Sequence, residues 1–215
     1  MSLRIKILTL GMVSTNAYLI GDDETKKAIL IDPVDQADIL FDSAKKEGWA
    51  IELILATHAH FDHVLASKKI KELTQAPFWI HQDAAKTLAL LPQRGVHYTG
   101  TPFPEAAEPD QFLTTESEKI DVGNIHLETL YTPGHAHGHI AFYMPSHKIV
   151  FSGDALFAGS IGRTDLEGGS LDVLLNSIQT KLLTLEDDVI VLSGHGDQTT
   201  IGEERIHNPY LQELR

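Results

Sequence analysis

The chain has 215 residues, of which 42% are hydrophobic and 22% charged, a composition that can bury a core of one large domain. Its formal charge of -13 disfavours nucleic acid and anionic membrane surfaces as partners, and no local basic patch offsets it. With no cysteine, disulfides, thiolate metal sites and a cysteine nucleophile are excluded.

The first residues, Met1-Ser2-Leu3-Arg4-Ile5-Lys6-Ile7-Leu8, alternate like a strand and lack the apolar core and cleavage site of a signal peptide. No apolar run approaches the ~20 residues that span a bilayer. The expectation is a cytoplasmic protein without a membrane partner. Strands are expected over 4–10, 16–21 and 27–31, the last ending at Asp32-Pro33. Residues 35–47 carry a helical period through Ile39, Leu40 and Ala44 and stop at Gly48. A buried strand over 51–56, a helix over 64–74, a strand over 77–80 and a helix over 82–91 ending at Pro92 follow. Residues 92–118 hold Pro92, Pro102, Pro104 and Pro109 and many acids, and read as a long loop, either a lid over a site or, as the alternative, a linker between domains. Strands return over 119–122, 125–131, 138–144 and 148–152, then a helix over 170–184, a buried strand over 188–192 and a short helix over 201–206. The two halves share a plan of strands first, then helix and strand. Packed sheet on sheet with helices outside, they give four layers in a single domain over 1–215.

Chemistry concentrates at strand ends. Thr57-His58-Ala59-His60-Phe61-Asp62-His63 follows the apolar run 51–56 and places three imidazoles and a carboxylate within six positions. Such donors suit zinc, with iron and manganese also compatible. In the second half, His135, Asp154 and His195 each follow a strand, and each has glycine immediately before it (Gly134, Gly153, Gly194). Together these residues fill a site for two divalent metal ions. One ion takes His58, His60 and His135, the second takes Asp62, His63 and His195, and Asp154 bridges them. His139 either supports His135 or Asp154 from behind or is incidental. His81, His97, His126, His147 and His207 read as surface or packing residues, and His137 as facing solvent near the site.

The signature His58-x-His60-x-Asp62-His63 resembles that of the metallo-β-lactamase superfamily, and the resemblance covers nearly the whole chain. Ser152-Gly153-Asp154-Ala155-Leu156-Phe157, Gly159-Ser160-Ile161-Gly162-Arg163-Thr164-Asp165, Ser193-Gly194-His195-Gly196 and Asn208-Pro209-Tyr210 are similar to the glyoxalase II-like hydrolases within it. The resemblance implies an α/β (α+β) fold, a four-layer αββα sandwich, with a binuclear site at its edge. It also implies a thioesterase acting on S-D-lactoylglutathione or a related small-molecule acyl thiol. In that mechanism a metal-bridging hydroxide attacks the thioester, with Asp62 a ligand that orients the water and Asp154 the bridge. Full-length members of that group carry a helical C-terminal domain that supplies basic residues to glutathione; here only about twenty residues follow His195. Arg163 either meets a substrate carboxylate or forms a salt bridge with a neighbouring acid. Two alternatives share the fold: a mononuclear iron persulfide dioxygenase using His58, His135 and Asp154, and a phosphodiesterase, lactonase or other esterase on the same metal pair. A secreted β-lactamase is disfavoured, because neither a cysteine ligand nor an export signal is present.

Overall fold

The computed structural model describes residues 3–114 and 117–214. Its first sheet runs in chain order: β1 (Leu3–Leu10), β2 (Thr15–Asp22), β3 (Lys27–Ile31), β4 (Ala50–Leu55), β5 (Phe78–His81) and β6 (Gln111–Leu113). The β1–β2–β3 pairs are antiparallel, and β3 to β6 are parallel, which places crossover helices outside the sheet. These helices are α1 (Ala37–Glu47), α2 (Phe61–Val64), α3 (Ser67–Thr74), α4 (Ala85–Ala89) and α5 (Leu91–Thr99).

The second sheet contains β7 (Lys119–Val122), β8 (Ile125–Tyr131), β9 (Ile140–Met144) and β10 (Ile149–Gly153). A small hairpin of β11 (Leu156–Phe157) and β12 (Ser160–Ile161) follows. The sheet is completed by β13 (Ile190–Ser193), parallel to β10, and by β14 (Thr199–Thr200) at its edge. Its outer face carries α6 (Leu171–Ser177), continued by a π-helical turn over Ile178–Leu182, and α7 (Ile201–His207).

Strand periodicity explains the layering. In β2, Ala17 and Leu19 face the first helical layer with Leu30, Leu40, Ile54 and Ile70, while Tyr18 and Ile20 face the opposite sheet. The space between sheets is filled by Tyr18, Ile29, Ile31, Leu55, Leu127, Phe142 and Phe151. On the far side, Val150 and Val191 pack under Leu174, Ile178 and Leu182. Three apolar layers therefore hold four layers of secondary structure, as the paired halves of the sequence led one to expect. No helix among the described residues is long and apolar enough to cross a membrane.

The expected long loop over 92–118 is corrected. Pro92 starts a helix rather than ending one: it lies in the first turn of α5, where a missing N–H costs no hydrogen bond. Residues Gln111–Leu113 join the first sheet, held by tertiary pairing with β5, and Asp110 accepts from the Phe78 N–H at 2.7 Å. The helix expected over 64–74 is split: α2 ends at Val64, and the Ala66 N–H donates to the Pro33 carbonyl at 3.0 Å before α3 begins. The helix expected over 170–184 ends as α-helix at Ser177, and the one expected over 82–91 opens with a 3-10 turn over Gln82–Ala84. Thr115 and Glu116, at the end of the expected loop, lie outside the described residues.

Candidate metal centre

The C-terminal ends of β4, β8, β10 and β13 meet at one edge of the sandwich. The loop after β4 carries His58 and His60, and α2 immediately presents Asp62 and His63. The loop after β8 carries His135, and Asp154 and His195 follow β10 and β13 directly. These seven residues, scattered over 138 positions of sequence (58 to 195, inclusive), form three donor groups: His58, His60 and His135; Asp62, His63 and His195; and His58, His63 and Asp154. Within each group the ligand atoms all lie within 4.8 Å of one another. The Asp154 carboxylate sits between the groups. Its Oδ1 is 3.3 Å from His63 Nε2, and its Oδ2 is 3.5 Å from His135 Nε2 and 3.6 Å from His195 Nε2. Asp62 Oδ2 is 3.2 Å from His195 Nε2 and 3.4 Å from His63 Nε2.

A second ring of contacts fixes the imidazoles. His63 Nδ1 lies 2.8 Å from Asp32 Oδ2, and His58 Nδ1 lies 3.0 Å from Thr57 Oγ1. His135 Nδ1–H donates to the Arg163 carbonyl at 2.8 Å, leaving Nε2 with its lone pair turned toward the cluster. Asp32 is itself held by the Thr57 N–H (2.7 Å) and hydroxyl (2.9 Å), and Thr15 Oγ1 donates to Asp62 Oδ2 at 2.8 Å. His139 supports Asp154: its Nε2 accepts from the Asp154 N–H at 3.1 Å, and its Nδ1 lies 2.8 Å from Thr132 Oγ1. Arg163 contributes its backbone, while its guanidinium pairs with Asp165. Gly194 has to be glycine: a Cβ there would sit 2.1 Å from Asp154 Oδ1 and 2.7 Å from His63 Cε1.

The donor set fits divalent ions. Among the described residues, His58 Nε2, His63 Nε2 and Asp154 Oδ1 are buried with no hydrogen-bond partner, a costly arrangement for atoms that no cation meets. The charge states agree. Burial, then the neighbouring imidazoles, pushes His58 well below the ordinary histidine value, and burial with His135 takes His60 down to about 3. Both are neutral, as ligands require. Burial would raise Asp62 and Asp154, but His63 and its neighbours hold Asp62 at about 2 and Asp154 lower still, so both are ionised. His63 is raised despite its burial, because Asp154, Asp62 and Asp32 converge on it. Positive charge is favoured at that point.

A cavity of about 230 Å³ opens onto this cluster. Its floor is His60, Asp62, His135, Asp154 and His195, and its walls include Val13, Phe61, Tyr98 and Leu166. The helix α5, expected as loop, therefore forms one wall through Arg94 and Tyr98. A larger groove of about 650 Å³, walled by Lys68, Leu88 and Phe112 among others, contains none of the cluster.

Sequence reasoning missed Asp32, Thr15, Thr57, Arg94 and Tyr98. The only signal for Asp32 was an acid closing a buried strand; its partner His63 lies 31 residues on. The remaining histidines differ in setting. His81 is buried and stacked on Tyr131 with ring centroids 4.6 Å apart, His126 pairs with Asp121, and His137 is exposed.

A four-layer sandwich with a His- and Asp-lined metal centre at its edge defines a class of metal-dependent enzymes. The model of the metallo-beta-lactamase superfamily matches residues 10–195, and the chain belongs to that superfamily as one of its hydrolases. It is 38% identical over 210 residues to the hydroxyacylglutathione hydrolase GloC of Haemophilus influenzae, covering 97% of this chain and 98% of that protein. Among solved structures it is similar to the BLEG-1 B3 metallo-beta-lactamase, with 39% identity, a TM-score of 0.90 and coverage of 97% of this chain and 100% of that one. It is also similar to TTHA1623 in a di-iron-bound form, with 36% identity, a TM-score of 0.86 and coverage of 96% and 100%.

Proposed function

We propose that the chain is a cytoplasmic thioesterase that hydrolyses S-D-lactoylglutathione or a related acyl thiol to a carboxylic acid and a free thiol, using two divalent ions. His58, His60 and His135 would hold one ion, and Asp62, His63 and His195 the other, with Asp154 serving both. The observation that carries the reading is that two complete, separate donor groups flank one carboxylate at the floor of a cavity, in a chain 38% identical to a hydroxyacylglutathione hydrolase. When bound, such ions supply Lewis acidity and lower the pKa of water toward ~7.

The chain's own residues supply the rest. Thr15 fixes the rotamer of Asp62, leaving its carboxylate positioned to orient the attacking water. Asp32 and the Arg163 carbonyl hold His63 and His135 so that their Nε2 atoms face the cluster. Val13, Phe61, Tyr98 and Leu166 offer an apolar wall that excludes bulk water from the thioester. The layers over 1–215 act as one catalytic domain in this reading.

The test is metal content by elemental analysis beside thiol release from S-D-lactoylglutathione. About two ions per chain with thiol release is expected. A single iron, with oxygen uptake on glutathione persulfide and no thiol release, would establish the dioxygenase instead. The 39% identity to a B3 metallo-beta-lactamase favours a second reading, β-lactam hydrolysis on the same centre. A chromogenic cephalosporin turned over faster than any acyl thiol would select it.

A further inference from the structure

Two arginines, Arg94 and Arg163, are among the residues lining the cavity of a chain whose formal charge is -13. They are not equivalent. Arg163 spends two donors on Asp165, Nε to Oδ1 at 2.8 Å and Nη2 to Oδ2 at 2.7 Å. Arg94, on α5 one turn before Tyr98, donates only through Nη2, to Glu167 Oε2 at 2.6 Å. Its Nε and Nη1 have no acceptor among the described residues. A guanidinium carries five N–H donors and grips a carboxylate best with two in parallel. The Arg94 fork is therefore half used, and Arg94 lines the same cavity as His60, His135 and Asp154.

The partner is loosely held. The Glu167 side chain is 56% exposed and that of Arg94 31% exposed, and ion pairs this open to solvent contribute little to stability. The contact joins residues 73 apart in sequence, α5 on one side and the segment after Arg163 on the other. No other hydrogen bond or ion pair of the Arg94 side chain is formed among the described residues.

We propose that Arg94 reads a carboxylate on the thiol half of the substrate, and that Glu167 holds that position until the substrate arrives. The proposal rests on the thioesterase reading and narrows its substrate class to acyl thiols whose thiol carries a carboxylate. In S-D-lactoylglutathione the lactoyl group has no carboxylate, so the charge that Arg94 meets belongs to the thiol. Substrate carboxylate and Glu167 compete for one fork. Removing Glu167 therefore strengthens binding, whereas removing Arg94 weakens it.

The experiment compares wild type, Glu167→Gln, Arg94→Gln and the double variant on two thioesters: S-D-lactoylglutathione, and S-lactoyl-N-acetylcysteamine, whose thiol has no carboxylate. Binding of S-methylglutathione, which is not hydrolysed, is measured by calorimetry in parallel. Arg94→Gln should raise KM for the glutathione thioester about tenfold, equal to about 1.4 kcal/mol. Glu167→Gln should lower it about threefold, and the double variant should match Arg94→Gln. On the cysteamine thioester both shifts should stay below twofold. The Kd of S-methylglutathione should follow the same order. Equal losses for both variants on both thioesters would show a structural clasp and overturn the proposal. If Arg94→Gln fails to fold, Glu167→Gln decides alone, since a clasp predicts no gain. Ordered S-methylglutathione affinities without thioester turnover would refute the thioesterase reading and leave Arg94 as a carboxylate reader.

Discussion

Gly194→Ala adds one methyl group to the chain and should disable the metal centre. The new Cβ would lie 2.1 Å from Asp154 Oδ1, where ordinary contact starts at 3.4 Å, so a gap of about 1.3 Å must be opened. The backbone cannot supply it. The Gly194 N–H donates to the Gly153 carbonyl at 2.8 Å, and its own carbonyl accepts from the Asn16 N–H at 2.7 Å. His63, the next nearest group, is fully buried and held by Asp32. The Asp154 carboxylate must therefore move by about 1 Å, against a tolerance of ~0.2 Å in ligand distances. A misplacement of that size costs on the order of 100-fold in rate. Elemental analysis should show loss of bound metal, and thiol release should fall at least that far. Gly196→Ala serves as the comparison: nothing lies within 4 Å of its Cβ, and only its φ of +75° is strained. That substitution should cost about 1–2 kcal/mol of stability and leave metal content intact. Full metal occupancy and turnover within threefold of wild type in Gly194→Ala would refute the argument that close backbone approach sets the Asp154 position.

Three further outcomes follow from the same geometry. Asp32→Asn keeps the size of the side chain but removes the charge beside His63 Nδ1, and should weaken metal affinity about 10- to 100-fold, read by competition with a chelating dye. Asp154→Ala should abolish the metal pair and turnover together; retention of both would exclude the two-ion reading. Phe142→Ala, fully buried between the sheets, should cost about 3–5 kcal/mol in denaturant unfolding while the fraction still folded keeps its metal content.

How much of this was legible beforehand depends on the range of the interaction. The strands over 119–122 and 125–131 needed only period-two alternation and local turns, and they were placed to the residue. The stop of α1 at Gly48 was equally local, since its φ of 73° suits glycine. The strand Gln111–Leu113 and the helix Leu91–Thr99 were missed. The first is three residues long and exists by pairing with β5, and the second opens with a proline that reads as a breaker unless it falls in the first turn. The seven clustered residues were legible because four of them, His58, His60, Asp62 and His63, form one short run after a strand, and the other three, His135, Asp154 and His195, each follow a strand and a glycine.

The sequence by itself determined that histidines and aspartates gather at strand ends, that no thiolate takes part, and that two alternating halves make two sheets with helices outside. The absence of thiolate follows from composition alone, and the others depend on neighbours a few positions apart. Tertiary structure alone decided that Asp32 braces His63, that Thr15 braces Asp62, and that Arg94 meets Glu167 beside the cavity. Those partners are 31, 47 and 73 residues apart. At such separations no periodicity links them; Asp32 and His63 meet because β3 and β4 pair in parallel and end at one edge, Thr15 and Asp62 because β2 belongs to that same sheet, and Arg94 and Glu167 because segments from the two halves of the chain come together beside the cavity.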